Sequence, residues 1–134
     1  MEALQKISSY LRACGFYYLA TTQGAQPKCR PIGLHAVKDG KLYFCIGDHK
    51  NVYRQIQENP LVEICASDGK GFLRVYGRAV AESGSAQAEA FLEVAPGLKN
   101  IYNADTGRTL KAFYLEDAIA EFHTMAGLDE RYQL

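Results

Sequence analysis

Short strand-like segments separated by turn signals constrain the fold of this chain more than any other feature. The segments are rich in aromatic and β-branched residues, and Asp-Gly, Asn-Pro or glycine-rich turns bound most of them. Six or seven strands in this order, many joined by short turns, predict an antiparallel β-barrel. Glu116 and Asp117 are predicted to form the turn between the last two strands. The predicted strands span residues 16–22, 28–37, 41–46, 61–66, 72–81, 110–115 and 119–125.

Short helices are predicted at breaks between these strands. Apolar residues recur with helical spacing over 2–14 and again over 83–94, which predicts a helix in each range. Between them, a helix is predicted over about 50–58 with Asp48 as its N-cap. Pro31 lies inside the second predicted strand and has no N–H group to donate, so this strand should be an edge strand or contain a bulge.

The size and charge of the chain limit its class. Its 134 residues predict a single domain spanning 1–134. Fifteen basic residues balance fifteen acidic ones, so no overall field attracts nucleic acid or an anionic membrane. The N-terminal segment has neither a signal-peptide pattern nor an apolar run long enough to span a membrane. We therefore expect a cytoplasmic protein that binds neither nucleic acid nor a membrane.

The cysteine pattern gives no support to a metal site. Cys14, Cys29, Cys45 and Cys65 are irregularly spaced and form no CxxC pair, and the three histidines have no carboxylate at metal-ligand spacing. We expect no bound metal, and most of these thiols are predicted to be small core residues in a reducing compartment.

The segment Gly47-Asp48-His49-Lys50 is the most informative one for function. A predicted strand ends here and a helix begins, with Lys50 near its first turn. Because a helix start exposes unpaired N–H groups and partial positive charge, a lysine there is unfavourable unless an anion is bound. The pattern indicates either an anion site or a lysine that points into water, where the penalty is screened.

A second segment, residues 27–33, combines Arg30 with a proline and a glycine. Pro31 disrupts strand pairing and Gly33 lacks a side chain, an arrangement that suits the close approach of a flat ligand. A bulged edge strand with a solvated arginine is the alternative.

Several short motifs occur in a fixed order along residues 3–125. They are FYYLAT at 16–21, PKCRPIG at 27–33, KLYF at 41–44, HKNV at 49–52, ENP at 58–60 and LRVYGRA at 73–79. In order and spacing they resemble the FMN-binding split-barrel family, the group that includes pyridoxamine 5′-phosphate oxidase. Residues 92–102 resemble the short bacterial members, some of which are similar to nitroimidazole-resistance reductases.

This resemblance implies a homodimeric split β-barrel with FMN at the junction between the two subunits. Arg30 and Lys50 match the arginine and lysine that approach the FMN phosphate, so they are expected to converge on it. Pro31, Ile32 and Gly33 match positions that line the flavin ring. The other expected cofactor contacts are Cys45, Ile46, His49, Asn51 and Arg74.

The implied activity is that of an FMN-dependent oxidoreductase that passes electrons from a reduced nicotinamide to a small-molecule substrate. No residue stands out as an acid or base, so no catalytic residue is predicted. The chain departs from pyridoxamine 5′-phosphate oxidase at His49, where that enzyme has arginine, and at Phe72, where it has glutamine, and it contains no tryptophan. These departures argue against that specific oxidase activity.

Two other functions remain open at this point. One is a flavin- or ligand-binding sensor or carrier without turnover, and the other is a structural dimer with an empty pocket. Split barrels in other proteins also hold haem or a deazaflavin, so FMN is inferred here by analogy with the family.

Overall fold

A computed structural model describes residues 2–134, which form a mainly β fold with three α-helices and one 3₁₀ helix. The helices are α1 (Glu2–Cys14), α2 (Asn51–Glu58) and α3 (Ala86–Val94), and the 3₁₀ helix is Pro96–Asn100. The strands are β1 (Tyr17–Gln23), β2 (Gln26–Ile32), β3 (His35–Lys38), β4 (Lys41–Gly47), β5 (Leu61–Ser67), β6 (Gly71–Ala81), β7 (Leu110–Thr124) and β8 (Gly127–Gln133). Within residues 2–134, no helix has the length and apolar character that crossing a membrane requires.

All eight strands belong to one antiparallel sheet that does not close. The hydrogen-bonded order is β2-β1-β5-β6-β7-β4-β3, and β8 pairs with β7. β2 and β3 stand at opposite ends of this order although only Gly33 and Leu34 separate them in sequence. No ladder joins these two strands in the part of the chain that the structure describes, so the barrel is split between them. The predicted split-barrel fold is confirmed.

The main core lies on the inner face of the sheet. Side chains alternate along the strands between this buried face and the outer face, as the pleat of a β-strand requires. Helix α1 adds an apolar stripe with helical spacing to the same core. The inward residues of β5 and α1 are Val62, Ile64, Ala66, Leu4, Ile7 and Leu11.

A second, smaller cluster lies on the other side of β4 and β7. Phe91 of α3 packs there with Cys45, Leu110 and Ala112. The carboxylate of Glu82 caps α3, because it accepts hydrogen bonds from the first backbone N–H groups of the helix at 2.9 and 3.0 Å. With this cap, α3 begins at residue 86 rather than at the predicted residue 83. The 3₁₀ helix that follows α3 lies near the split of the barrel.

The prediction of one strand over 28–37 is wrong. β2 ends at Ile32, opposite Tyr17 of β1, and β3 begins at His35, opposite Phe44 of β4. Pro31 offers no N–H group to a ladder, and the two residues after Ile32 carry the chain from one edge of the sheet to the other. β2 is an edge strand, as Pro31 predicts, and after it the chain changes its strand partner completely.

The predicted turn at Glu116 and Asp117 is also wrong, because β7 continues through both residues. The register between β6 and β7 shifts between Tyr76 and Arg78, which marks a β-bulge. Asp117 has a φ angle of 53° there. Turns and bulges both favour a residue that tolerates positive φ. The local sequence around Asp117 therefore does not distinguish a turn from a bulge.

β8 is a strand that the sequence does not predict. Its residues are mostly exposed, and they lack the alternation of apolar and polar side chains that identifies the other strands. Pairing with the C-terminal half of β7 gives this polar segment its strand conformation.

Gly77 lies opposite the bulge and is expected to be intolerant of a side chain. A Cβ atom at this position would lie 2.9 Å from the Glu116 carbonyl oxygen and 3.0 Å from the Ala118 Cα. Because both are backbone atoms, Gly77→Ala should lower the free energy of unfolding by about 1–3 kcal/mol in urea denaturation. Gly84→Ala is the matched control, since no atom of the described residues lies within 4 Å of its Cβ position. Equal unfolding midpoints for the two variants would contradict this packing.

Candidate functional site

A cavity of about 350 Å³ lies at the split of the barrel, within the size range of small-molecule sites. We call it the split cavity. The end of β2 and its link to β3 form one side, and the end of β4 and the start of α2 form another. Ala95, Leu98 and Tyr102, from the segment around the 3₁₀ helix, complete the lining. The lining residues are Arg30, Pro31, Ile32, Gly33, Leu34, Cys45, Ile46, Gly47, Lys50, Val52, Ala95, Leu98, Tyr102 and Leu110.

Two cations dominate the electrostatics of the split cavity. Arg30 comes from β2 and Lys50 from the start of α2, and among residues 2–134 no carboxylate lines the same cavity. Most of the remaining walls are apolar. The cavity can therefore accept a ligand with an anionic end and an apolar body.

Lys50 is the N-cap residue of α2, with φ −87° and ψ 151°. Its backbone N–H donates to the Gly47 carbonyl oxygen at 3.2 Å, which fixes the turn from β4 into the helix. Its ammonium group forms no ion pair with any described residue, and the first turn of α2 contains no acidic side chain. The Tyr53 N–H donates to the Lys50 carbonyl oxygen at 3.1 Å, whereas the N–H groups of Asn51 and Val52 have no intrahelical acceptor. The helix start thus presents unneutralised positive charge beside the cavity.

The prediction of Asp48 as the N-cap is wrong. Asp48 is bonded instead to Thr109, the residue before β7. Its backbone N–H donates to the Thr109 carbonyl oxygen at 3.0 Å, and its carboxylate accepts from the Thr109 N–H at 3.0 Å. Because the Asp48 carboxylate is bonded to Thr109, Asp48 does not cap α2, and Lys50 is the N-cap residue.

Arg30 is held by a buried polar network. Its Nη1 donates to the Leu19 carbonyl oxygen at 3.1 Å and to Thr21 Oγ1 at 2.6 Å, and its Nη2 donates to Gln55 Oε1 at 2.8 Å. Thr21 and Gln55 are both buried and hydrogen-bond each other at 2.5 Å. Burial lowers the pKa of Arg30, but a guanidinium stays charged at neutral pH. Of its five N–H groups, the Nε–H and one on Nη2 have no acceptor among residues 2–134.

Cys45 forms part of the apolar wall. Burial raises the pKa of its thiol to about 12, although the nearby charge of Lys50 acts in the opposite direction. The thiol is therefore protonated at neutral pH, which rules it out as a nucleophile in this state.

Gly47 and Tyr102 close the cavity beside the start of α2. A Cβ atom at Gly47 would lie 2.7 Å from Tyr102 Cε1 and 2.8 Å from His49 Cε1, so only glycine lets the phenol pack on this backbone. The rings of Tyr102 and His49 are 5.9 Å apart and inclined by 48°. Burial raises the pKa of the Tyr102 hydroxyl, which stays protonated at neutral pH.

The structure brings most of the predicted site residues into the split cavity. Arg30, Pro31, Ile32, Gly33, Cys45, Ile46 and Lys50 all line it, and His49, Asn51 and Arg74 do not. Asn51 accepts a hydrogen bond from Arg54 at 2.5 Å, and Arg74 on β6 makes two hydrogen bonds of 2.9 Å to the Glu63 carboxylate. Cofactor contact remains a prediction for all of them.

Sequence reasoning missed two groups of residues at this site. Thr21 and Gln55 anchor Arg30, while Leu98 and Tyr102 line the cavity from the segment after α3. Gln55 carries a signal that could have found it, because it occupies a core position on the apolar face of α2. Leu98 and Tyr102 belong to a segment that has no periodic sequence pattern.

The molecule is a split antiparallel barrel whose mainly apolar cavity is lined by two cationic side chains. The chain belongs to the pyridoxamine 5′-phosphate oxidase family, whose model matches residues 3–123. A comparison with curated proteins found no match.

Solved structures share this fold over nearly the whole chain. A NimC/NimA family protein from Clostridium acetobutylicum is 29% identical, with a TM-score of 0.85, over 98% of this chain and 94% of that one. General stress protein 26 from Bacillus anthracis is 17% identical, with a TM-score of 0.73, over 100% of both chains. A pyridoxamine 5′-phosphate oxidase-related, FMN-binding protein from Nostoc punctiforme is 16% identical, with a TM-score of 0.64, over 92% of this chain and 84% of that one.

Proposed function

We propose that the split cavity binds FMN. The observation that carries this proposal is that Arg30 and Lys50, at the start of α2, line the same cavity, whose other walls are mainly apolar and include no carboxylate among residues 2–134. Lys50 and the two free N–H groups of Arg30 would hold the phosphate, with help from the first N–H groups of α2. The link from Pro31 to Leu34 and the wall at Cys45 and Ile46 would hold the flavin ring. FMN binding by the Nostoc punctiforme relative supports this choice of cofactor.

The proposed activity is electron transfer from a reduced nicotinamide to a small-molecule acceptor. A bound flavin supplies the redox chemistry for such a reaction. The residues of this chain would anchor the phosphate, orient the ring and keep water from one side of it. Since the Cys45 thiol and the Tyr102 hydroxyl stay protonated, neither adds a charge to the wall, and we assign no protein acid or base.

We further propose that the protein is a homodimer that pairs through the outer face of β1, β5 and β6. Tyr18 and Leu61 on this face are 51% and 58% exposed, as expected for a sheet face that packs against a second copy. Arg74 lies on the same face, so its predicted flavin contact would be made across the subunit junction. Sedimentation velocity should give twice the mass of one chain, and a monomer at all concentrations would contradict the proposal.

The proposed function is tested by the spectrum and the reducibility of the purified protein. We expect a yellow protein, or an apoprotein that quenches the fluorescence of added FMN, whose flavin is bleached by NADH or NADPH without oxygen and reoxidised by an acceptor. A protein that ignores FMN would refute the flavin site. A flavin that no nicotinamide reduces and no acceptor reoxidises would identify a binding module without turnover.

A further inference from the structure

The link between β2 and β3 is held by a side chain rather than by strand pairing. Gly33 and Leu34 lie outside both strands, and both line the split cavity. The Leu34 carbonyl oxygen accepts a hydrogen bond from the Tyr17 hydroxyl at 2.5 Å. Tyr17 belongs to β1 and is only 1% exposed, so its ring is locked in the core. The position of this cavity wall is therefore set from inside the barrel.

A second contact anchors the residue that follows the link. His35 Nε2 lies 2.8 Å from Ser8 Oγ of α1, within hydrogen-bond distance. The His35 ring also meets the Tyr17 ring edge to face, with centroids 6.4 Å apart and an angle of 78° between planes. Tyr17 thus contacts both the end of the link and the first residue of β3.

We propose that Tyr17 is a positioning residue for the ligand in the split cavity. Its hydroxyl holds the Leu34 carbonyl in place. It therefore fixes the position of the Gly33–Leu34 wall, against which the flat flavin ring would pack. This inference rests on the proposed flavin site, but Tyr17 itself does not line the cavity. Without the hydroxyl, the Leu34 carbonyl loses a buried partner and the link gains alternative positions, of which only some fit the ligand.

Tyr17→Phe tests the proposal because it removes one oxygen atom and leaves the core packed. We expect faster amide hydrogen exchange over residues 33–36, a roughly five- to tenfold weaker affinity for FMN, and a shifted absorption spectrum of the bound flavin. Tyr10→Phe is the matched control. The Tyr10 hydroxyl accepts from the Asp68 N–H at 3.2 Å, its ring packs on Phe122, and it lies outside the split cavity. It should leave the exchange of 33–36, the FMN affinity and the flavin spectrum unchanged.

The outcomes separate this inference from the proposed function. If the wild-type protein does not bind FMN, the flavin site fails, and hydrogen exchange at 33–36 alone decides whether Tyr17 fixes the wall. If the wild-type protein binds FMN, then an unchanged spectrum or an unchanged exchange rate in Tyr17→Phe overturns the positioning role. Equal changes in Tyr17→Phe and Tyr10→Phe also overturn it, because they would reflect a general loss of stability.

Discussion

Lys50→Ala is expected to weaken FMN binding roughly 10- to 100-fold, with little change in the midpoint of unfolding. The affinity falls because the phosphate loses a charge-assisted hydrogen bond beside the start of α2. Stability is retained because the ammonium group makes no ion pair with residues 2–134 and caps no helix N–H. Quenching of FMN fluorescence gives the dissociation constant, and urea denaturation gives the stability.

Riboflavin and a second lysine variant provide the controls for Lys50→Ala. Riboflavin lacks only the phosphate, so the substitution should change its affinity less than twofold. Lys38→Ala removes the same charge from an exposed position at the end of β3 and should leave FMN binding intact. If Lys50→Ala weakens FMN and riboflavin equally, or Lys38→Ala matches it, Lys50 does not bind the phosphate.

Arg30→Met is expected to reduce both stability and FMN affinity, unlike Lys50→Ala. The guanidinium joins the Leu19 carbonyl, Thr21 and Gln55, so its loss should lower the free energy of unfolding by about 2 kcal/mol. The dissociation constant for FMN should rise at least roughly tenfold, since the phosphate loses a cation and the wall loses its anchor. Urea denaturation and FMN titration measure the two effects separately.

Arg30→Lys separates the charge of Arg30 from its geometry. A lysine keeps the positive charge but cannot reach three acceptors with a planar fork, so it should restore part of the FMN affinity and little of the stability. Arg12→Met, at an exposed position of α1, is the matched control and should change neither quantity. Normal stability in Arg30→Met would contradict the network, and normal FMN binding would contradict the phosphate site.

The fold could be predicted from sequence wherever one strand face is buried. Residues 72–81 alternate between the two faces, and this pattern is the one that β6 keeps in the sheet. The family resemblance predicts a split barrel, but the position of the split and the bulge could not be read from local sequence, because each depends on pairing with a distant strand. Asp117 satisfies a turn and a bulge equally well, and only its position opposite Gly77 of β6 decides between them. β8 carries too few buried side chains to leave a pattern.

Apart from the positions that the family resemblance supplies, the candidate site could be predicted only where a residue conflicts with its local secondary structure. Lys50 at a helix start and Arg30 before a proline are such conflicts, and both residues line the split cavity. Tyr102 shows no such conflict. It reaches the cavity because α3 packs against β4 and β7 and brings the following segment over Gly47. Contacts of this kind follow from tertiary packing and leave no local signal.

A crystal structure of the protein soaked with FMN tests the central claim most directly. We predict that the phosphate lies at the start of α2, with oxygens within hydrogen-bond distance of Lys50 Nζ and of the free Nε–H and Nη2–H groups of Arg30. The ring should lie against the Gly33–Leu34 link. A phosphate bound elsewhere, or a split cavity that stays empty while flavin binds at another place, would contradict the account.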